Sequence, residues 1–202
     1  TTGYFQNTVD FNPGSGVSNL VSNGSYDIFI SKLDANGNFI WAKSMGGTSS
    51  DYGYSITTDA SGNVYTTGSF AGTVDFDPGS GVSNLVSNGS SDIFIQKLDA
   101  NGNFLWAKSM GGTSYDSGTS ITTDASGNVY TTGTFTGIVD FDPSFSISNL
   151  NSSGGYTFIQ KLDANGNFIW AEQVNSGTSQ SINIDANGNL YITTTDYIFK
   201  FK

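Results

Sequence analysis

Apolar and polar residues alternate in short runs along almost the whole chain. "YSITTD" (Tyr54–Asp59), "NVYTTGSF" (Asn63–Phe70), "DIFIQKLD" (Asp92–Asp99) and "NFLWAKSM" (Asn103–Met110) are rich in β-branched and aromatic residues. A period of two sends successive side chains to opposite faces of an extended strand. Tight turns, "ASG" or "ANG", separate the runs of each pair, as in antiparallel hairpins. No window shows an apolar stripe at the helical period with helix caps. The pattern predicts an all-β chain of strands and loops.

The runs recur. "DANGN" opens at Asp34, Asp99 and Asp163, spaced 65 and 64 residues apart. "SITTDASGNVYTTG" stands at Ser55–Gly68 and Ser120–Gly133, and returns altered as "SINIDANGNLYITT" at Ser181–Thr194. A long insert follows it: "VDFNPGSGVSNLVSNGS" from Val9, "VDFDPGSGVSNLVSNGS" from Val74 and the drifted "VDFDPSFSISNLNSSGG" from Val139. Each period therefore carries four consecutive antiparallel strands, A to D, with the insert between B and C. Four strands per repeat predict a β-propeller of four-stranded antiparallel blades. The chain divides into a partial blade (1–45), blades at 46–110 and 111–173, and a partial blade (174–202), about three and a half blades in fourteen strands. Closed propellers have about four to eight blades. This reading therefore expects other blades, from the same or another chain, as partners.

Composition narrows what such a scaffold does. Seventeen acidic against 7 basic residues leave a net charge of −10, which opposes binding to nucleic acid or to anionic lipid. The chain has no Cys and no His. Disulfides, thiol chemistry, the usual neutral-pH base and the commonest zinc ligand are thus excluded. No long unbroken apolar run suggests a membrane-spanning helix, so no membrane insertion is expected.

Four groups of residues are candidates for chemistry. In Asp-Ala-Asn-Gly-Asn, Gly accepts positive φ, and the Asp and Asn side chains bond to nearby backbone. The letters approach a calcium loop, but Gly falls at the wrong position and no closing Glu follows. A hairpin turn is the better reading. In the insert, Asp75 and Asp77 stand two residues apart; Asp140 and Asp142 repeat the pair, and Asp10 is matched with Asn12. Paired oxygen ligands beside a Gly-rich turn suit calcium, with Asp51 and Asp116 on the D–A loops as further ligands. The competing reading has these carboxylates bonded to backbone amides. The last repeat omits the insert, so a blade does not require it, and the insert is the foremost candidate for functional decoration, with a structural flap as the alternative. Phe145, in the drifted third insert, is a candidate contact residue. Trp41, Trp106 and Trp170 recur at one strand-D position, which predicts packing between blades.

Catalysis finds little support. There is no Ser-His-Asp set, no Cys-His pair and no phosphate loop. The Asp pairs repeat with the blade, whereas an active site is unique, and Glu172, the only Glu, takes the position of Lys43 and Lys108.

The order of a D-x-x-G-N-V-Y hairpin, a K-L-D-x-x-G-N-F-x-W hairpin and a Gly-Gly pair resembles the bacterial beta-propeller repeats called SBBP, and more distantly the NHL repeat. The resemblance covers essentially the whole chain. It implies a secreted or surface-exposed bacterial protein and brings no catalytic motif. The expectation is a non-enzymatic extracellular binding or scaffold module, part of an adhesin or filament, meeting protein or carbohydrate outside cells. A glycan-binding lectin using the insert face and a polysaccharide hydrolase or lyase are the alternatives.

Overall fold

The computed structural model describes every residue except Phe145, Ser176 and Lys202. Among the described residues there is no helix, and every paired strand is antiparallel to its neighbours. Sheet I joins β1 (Thr2–Phe5), β4 (Asp27–Leu33) and β5 (Phe39–Met45); β2 (Thr8–Asp10) and β3 (Asn19–Val21) form a separate hairpin between β1 and β4. Sheet II joins β6 (Tyr52–Thr58), β7 (Val64–Phe70), β10 (Asp92–Leu98) and β11 (Phe104–Met110), again with a hairpin, β8 (Thr73–Asp75) and β9 (Asn84–Val86), inside it. Sheet III is β12 (Ser117–Thr123), β13 (Val129–Asp140), β14 (Asn149–Leu162) and β15 (Phe168–Val174). Sheet IV is β16 (Ser179–Ile184), β17 (Leu190–Thr194) and β18 (Ile198–Phe201).

The four sheets follow the A-B-C-D order read from the sequence. Sheet I holds B, C and D; sheet IV holds A, B and C. All seven residues of β7, and all seven of β10, are buried. The cause is that sheet II is covered on both faces. Phe94 and Leu98 pack backward with Ile28, Ile30 and Met45 of sheet I. Ile93 and Ile95 pack forward with Ile121, Phe158 and Leu162 of sheet III. Tyr130 and Ile159 continue the core into sheet IV with Ile182 and Ile192. Period-two alternation here separates two cores rather than a core from water.

The turns are built as the sequence suggests. Asp34 Oδ1 accepts the amides of Asn36 and Asn38, both at 2.8 Å, and Asp34 Oδ2 accepts Asn38 Nδ2 at 2.8 Å. Gly37 sits at φ +83°, a region costly for any residue with a Cβ. Asp59, Asp99, Asp124, Asp163 and Asp185 repeat the bonding pattern. The side-chain amide of Asn38, then its backbone amide, hold the Asp34 carboxyl below the usual range. The recurring Trp is tied to the next sheet. Lys32 Nζ and Trp41 Nε1 both donate to the carbonyl of Ala100, at 2.7 and 3.4 Å, and Lys97 and Trp106 do the same to Ala164, at 2.9 and 3.3 Å.

Two of the inserts form separate hairpins, and the third is a continuation of B and C, with Gly137 paired to Ser152 and Asp140 to Asn149. The first insert reaches a C–D turn. Asn12–Gly16 and Gly37–Phe39 line one shallow recess, so the insert folds back along the blade to its opposite end. Val74 and Phe76 are fully buried, and Phe76 lies 4.9 Å from the Phe94 ring. Gln96 Nε2 donates to the Phe76 carbonyl, at 2.6 Å, and Gln160 to that of Phe141, at 2.6 Å. An isolated bridge joins Gly46 to Asp75, so the second insert also grips the D–A loop of the preceding sheet.

Candidate functional site

The insert carboxylates are engaged by their own backbone. Asp75 Oδ1 accepts the amides of Asp77 and Ser83, at 3.0 and 2.8 Å. Asp140 repeats this with Asp142 and Ser148, at 3.0 and 2.9 Å, and Asp10 with Asn12 and Ser18, at 3.0 and 2.8 Å. The amides of Ser18 and Asn12 hold the Asp10 carboxyl below its ordinary range. The second member of each pair serves the next turn. Asp77 takes the amide of Gly79 at 2.8 Å, Asp142 that of Ser144 at 2.9 Å, and Asn12 that of Gly14 at 2.9 Å. A Cβ on Gly81 would lie 2.2 Å from Asp77 Oδ2, so that side chain fills the inside of the loop. Among the described residues no three of Asp, Glu, His or Cys gather as a metal-holding group.

Asp51 and Asp116 are fully buried. Asp51 Oδ2 accepts Gly47 N at 2.8 Å, and its Oδ1 accepts Ala71 N at 3.0 Å. Its own amide donates to the Tyr26 carbonyl at 2.7 Å. One aspartate thus clamps the D–A loop and the start of an insert through its carboxylate and the preceding sheet through its backbone amide. Asp116 does the same with Gly112 and Thr136, at 2.8 and 2.9 Å. Beside each clamp lies a second buried carboxylate that sequence reasoning did not single out. Asp27 accepts the amide of Asn23 at 2.9 Å and Asp92 that of Asn88 at 3.0 Å, and each keeps a buried Oδ1 without a partner. A Cβ on Gly46 or Gly111 would lie 2.1 Å from their Cγ atoms. Burial, then the charge of Asp116, pushes the Asp92 carboxyl up to about 6. In the next repeat Tyr156 aligns with Asp92, Asn175 with Gly111 and Gly177 with Asp116. Acid, clamp and space-giving glycine disappear together, as expected of one mutually dependent cluster.

A distinctive, partly exposed feature is aromatic. Tyr4 meets Tyr26 edge-on at 5.4 Å and Tyr52 edge-on at 4.9 Å. Tyr26 and Tyr52 lie 5.9 Å apart, and Tyr52 stacks on Tyr54 with only 6° between the rings. Tyr54 interacts through its hydroxyl with Ser69 and Tyr115; its burial, then the nearby Tyr115, pushes its pKa up to about 12. Tyr54 also occupies a strand bulge, between the pairs Gly53–Gly68 and Ser55–Thr67, a device that re-aims a side chain. Tyr4, Tyr54 and Tyr115 remain 49%, 43% and 50% exposed.

Sequence reasoning missed this cluster because it looked for what repeats. Residues 1–65 and 66–130 differ at only ten aligned positions, and five of the ten exchange Tyr for Ser or Thr: Tyr4/Ser69, Tyr26/Ser91, Ser50/Tyr115, Tyr52/Ser117 and Tyr54/Thr119. The differences between copies carried the signal. Phe145 lies outside the described residues. Glu172 is exposed on β15.

The family match agrees with the repeat architecture. The beta-propeller repeat family SBBP matches residues 40–69 and 105–137. Both windows run from strand D through A and into B. A WD repeat-containing protein of Acanthamoeba polyphaga mimivirus is 32% identical over 133 residues, which is 61% of this chain and 10% of that protein. The regulatory protein FlaEY of Caulobacter vibrioides is 29% identical over 125 residues, 60% of this chain and 13% of its own length. The chain thus spans about a tenth of the curated relatives it matches. A crystal structure of a protein of unknown function from Bacteroides caccae covers 100% of this chain and 69% of its own at 12% identity, with a TM-score of 0.33.

Proposed function

We propose that this chain, two segments of which match the SBBP beta-propeller repeat, is a non-enzymatic binding or scaffold module. In this reading it is displayed outside the cell as part of a bacterial surface adhesin or filament, and its blades complete a ring with further repeats. One observation carries the choice of binding over chemistry. The side chains that recur with the repeat are spent on architecture: turn and clamp aspartates hold backbone amides, and tryptophans hold the next sheet. The exposed, non-repeating feature is the tyrosine cluster, which offers contact surface and no reactive group.

The same cluster favours a glycan as the contact. Tyrosine combines an apolar face, suited to the C–H face of a sugar ring, with a hydroxyl for its polar rim. The side chains that form the exposed contact surface are all tyrosines, which suits a neutral polysaccharide. The test is binding to immobilised cell-envelope polysaccharides, with product analysis in parallel. Saturable binding without turnover is expected, and Tyr52→Ala weakens it at least tenfold. Release of reducing ends, abolished by Asp75→Asn with Asp140→Asn, would instead establish a hydrolase or lyase.

A further inference from the structure

Asparagine serves two purposes in this chain, and hydrogen bonding separates them. In the C–D turns, Asn38, Asn103 and Asn167 donate their side-chain amides to Asp34, Asp99 and Asp163, each at 2.8 Å. In the inserts, Asn23 and Asn88 give only their backbone amides, to Asp27 and Asp92, at 2.9 and 3.0 Å. Both residues are exposed, as is Asn151 on β14. Among the described residues nothing bonds to the side chains of these three. They are also the only asparagines of the chain with Ser or Thr two positions on: Asn23-Gly24-Ser25, Asn88-Gly89-Ser90 and Asn151-Ser152-Ser153.

Turn chemistry does not account for these triplets. Asn-Gly ordinarily marks a tight turn with positive φ, but neither residue of Asn23-Gly24 or Asn88-Gly89 adopts it. Glycine is required here by contact. A Cβ on Gly24 would lie 2.6 Å from the Gly47 carbonyl oxygen, and one on Gly89 2.4 Å from the Thr113 carbonyl carbon. That contact explains the glycine and leaves the flanking Asn and Ser without a structural task. The drifted third insert is the informative copy. Ser153 stands in place of Asn88 and Gly155 in place of Ser90, so the aligned triplet is destroyed. Asn151 replaces Val86, and the same Ser153 supplies its hydroxyl. One exchange thus removes the old triplet and completes a new one two residues upstream in the same hairpin. The position was already open, since Val21 and Val86 are 60% and 59% exposed.

We propose that Asn23, Asn88 and Asn151 are N-glycosylation acceptors. The inference rests on display outside the cell, and it concerns a covalent modification of the inserts rather than the tyrosine contact. Asn-x-Ser with a residue other than Pro at the centre is the acceptor pattern of exposed loops in secreted proteins. The donor is a sugar activated as a phosphate ester, carried by a nucleotide or a lipid. The Asn side-chain nitrogen forms a bond to the anomeric carbon and loses a proton to a base on the transferase. The bond from that carbon to the phosphate oxygen breaks, and the phosphate leaves with the electron pair. The attached sugar is bulky and solubilising, and it stands where the first two inserts expose Val21 and Val86.

The test is peptide mass spectrometry of the protein isolated from its native cells, with surface and interior fractions kept separate. Expected is a sugar increment on Asn23, Asn88 and Asn151 in the surface fraction, and none on Asn38 or Asn103. A single-sugar increment marks a nucleotide-linked donor and a preassembled oligosaccharide a lipid-linked one; both support the proposal. Asn88→Gln and Ser90→Ala each remove the increment at that position alone, whereas Ser90→Thr keeps it. A sugar that persists in Asn88→Gln sits on a hydroxyl side chain and overturns the proposal. Unmodified triplets in the surface fraction also overturn it and leave the display outside the cell standing. Protein found only in the interior, and unmodified, counts against both.

Discussion

Replacing Asp92 by Asn isolates what one buried carboxylate does to this fold. Asp92 is fully buried, accepts a single amide at 3.0 Å and leaves Oδ1 without a partner. Burial is the leading cause of its rise from an ordinary 3.8 to about 6. In the unfolded chain the group ionises near its ordinary value, so between roughly pH 4 and 6 the folded state binds the extra proton. This contribution to stability is therefore fully present below about pH 4 and is lost as pH rises through the folded pKa, near 6. Two pKa units correspond to roughly 3 kcal/mol. Relaxation of the surrounding chain around the charged form reduces the expected cost at neutral pH to about 1–2 kcal/mol. Asn is isosteric with the protonated acid and fits beneath Gly111. Asp92→Asn should therefore be more stable than the wild type by about 1–2 kcal/mol at pH 7.5 and equal to it near pH 4. Urea unfolding at both pH values, followed by tryptophan fluorescence, reads this directly. A variant destabilised by the same amount at both pH values would refute the reasoning, because Asp92 would then act only as an amide acceptor.

Four further outcomes follow from the packing and hydrogen bonds. Phe76→Ala should cost about 3–5 kcal/mol in thermal or urea unfolding, because its ring fills the core beneath the insert; exposed Val82→Ala should change stability by less than about 0.5 kcal/mol. Asp99→Ala removes the acceptor for three bonds from Asn101 and Asn103 and should lower stability at pH 7, measured by urea unfolding. Asp99 has a depressed pKa, set first by the Asn103 backbone amide and then by its side chain, so its contribution is present above the unfolded pKa and disappears on acidification through the folded one; the Asp99→Ala deficit should vanish in urea melts at low pH. Millimolar calcium should move the melting temperature by less than about 1 °C, since the insert aspartates already bind backbone amides; a rise reversed by chelator would show that Asp75 and Asp77 still hold the ion.

Several features were written in the sequence because they are local. A run such as "NVYTTGSF" must alternate, and Asp-Ala-Asn-Gly-Asn must turn, since its Gly occupies positive φ and its Asp and Asn close the loop within five residues. The four-strand order followed from repetition of those local units, down to the B-C-D and A-B-C content of the terminal sheets. Tertiary structure decided the rest. Whether Asp75 faces an ion or an amide depends on the return of the chain at Ser83. Whether the insert is decoration or core depends on Phe76 meeting Phe94 across the sheet. Tyr4, Tyr26, Tyr52, Tyr54 and Tyr115 are scattered in sequence and form one cluster only because neighbouring sheets bring their strand ends together. Identical letters also acquire different roles: Leu98 is sealed in a core, and Leu33 lines an open recess. A residue's period fixes the face on which it stands, but only the neighbouring strand determines whether that face is covered.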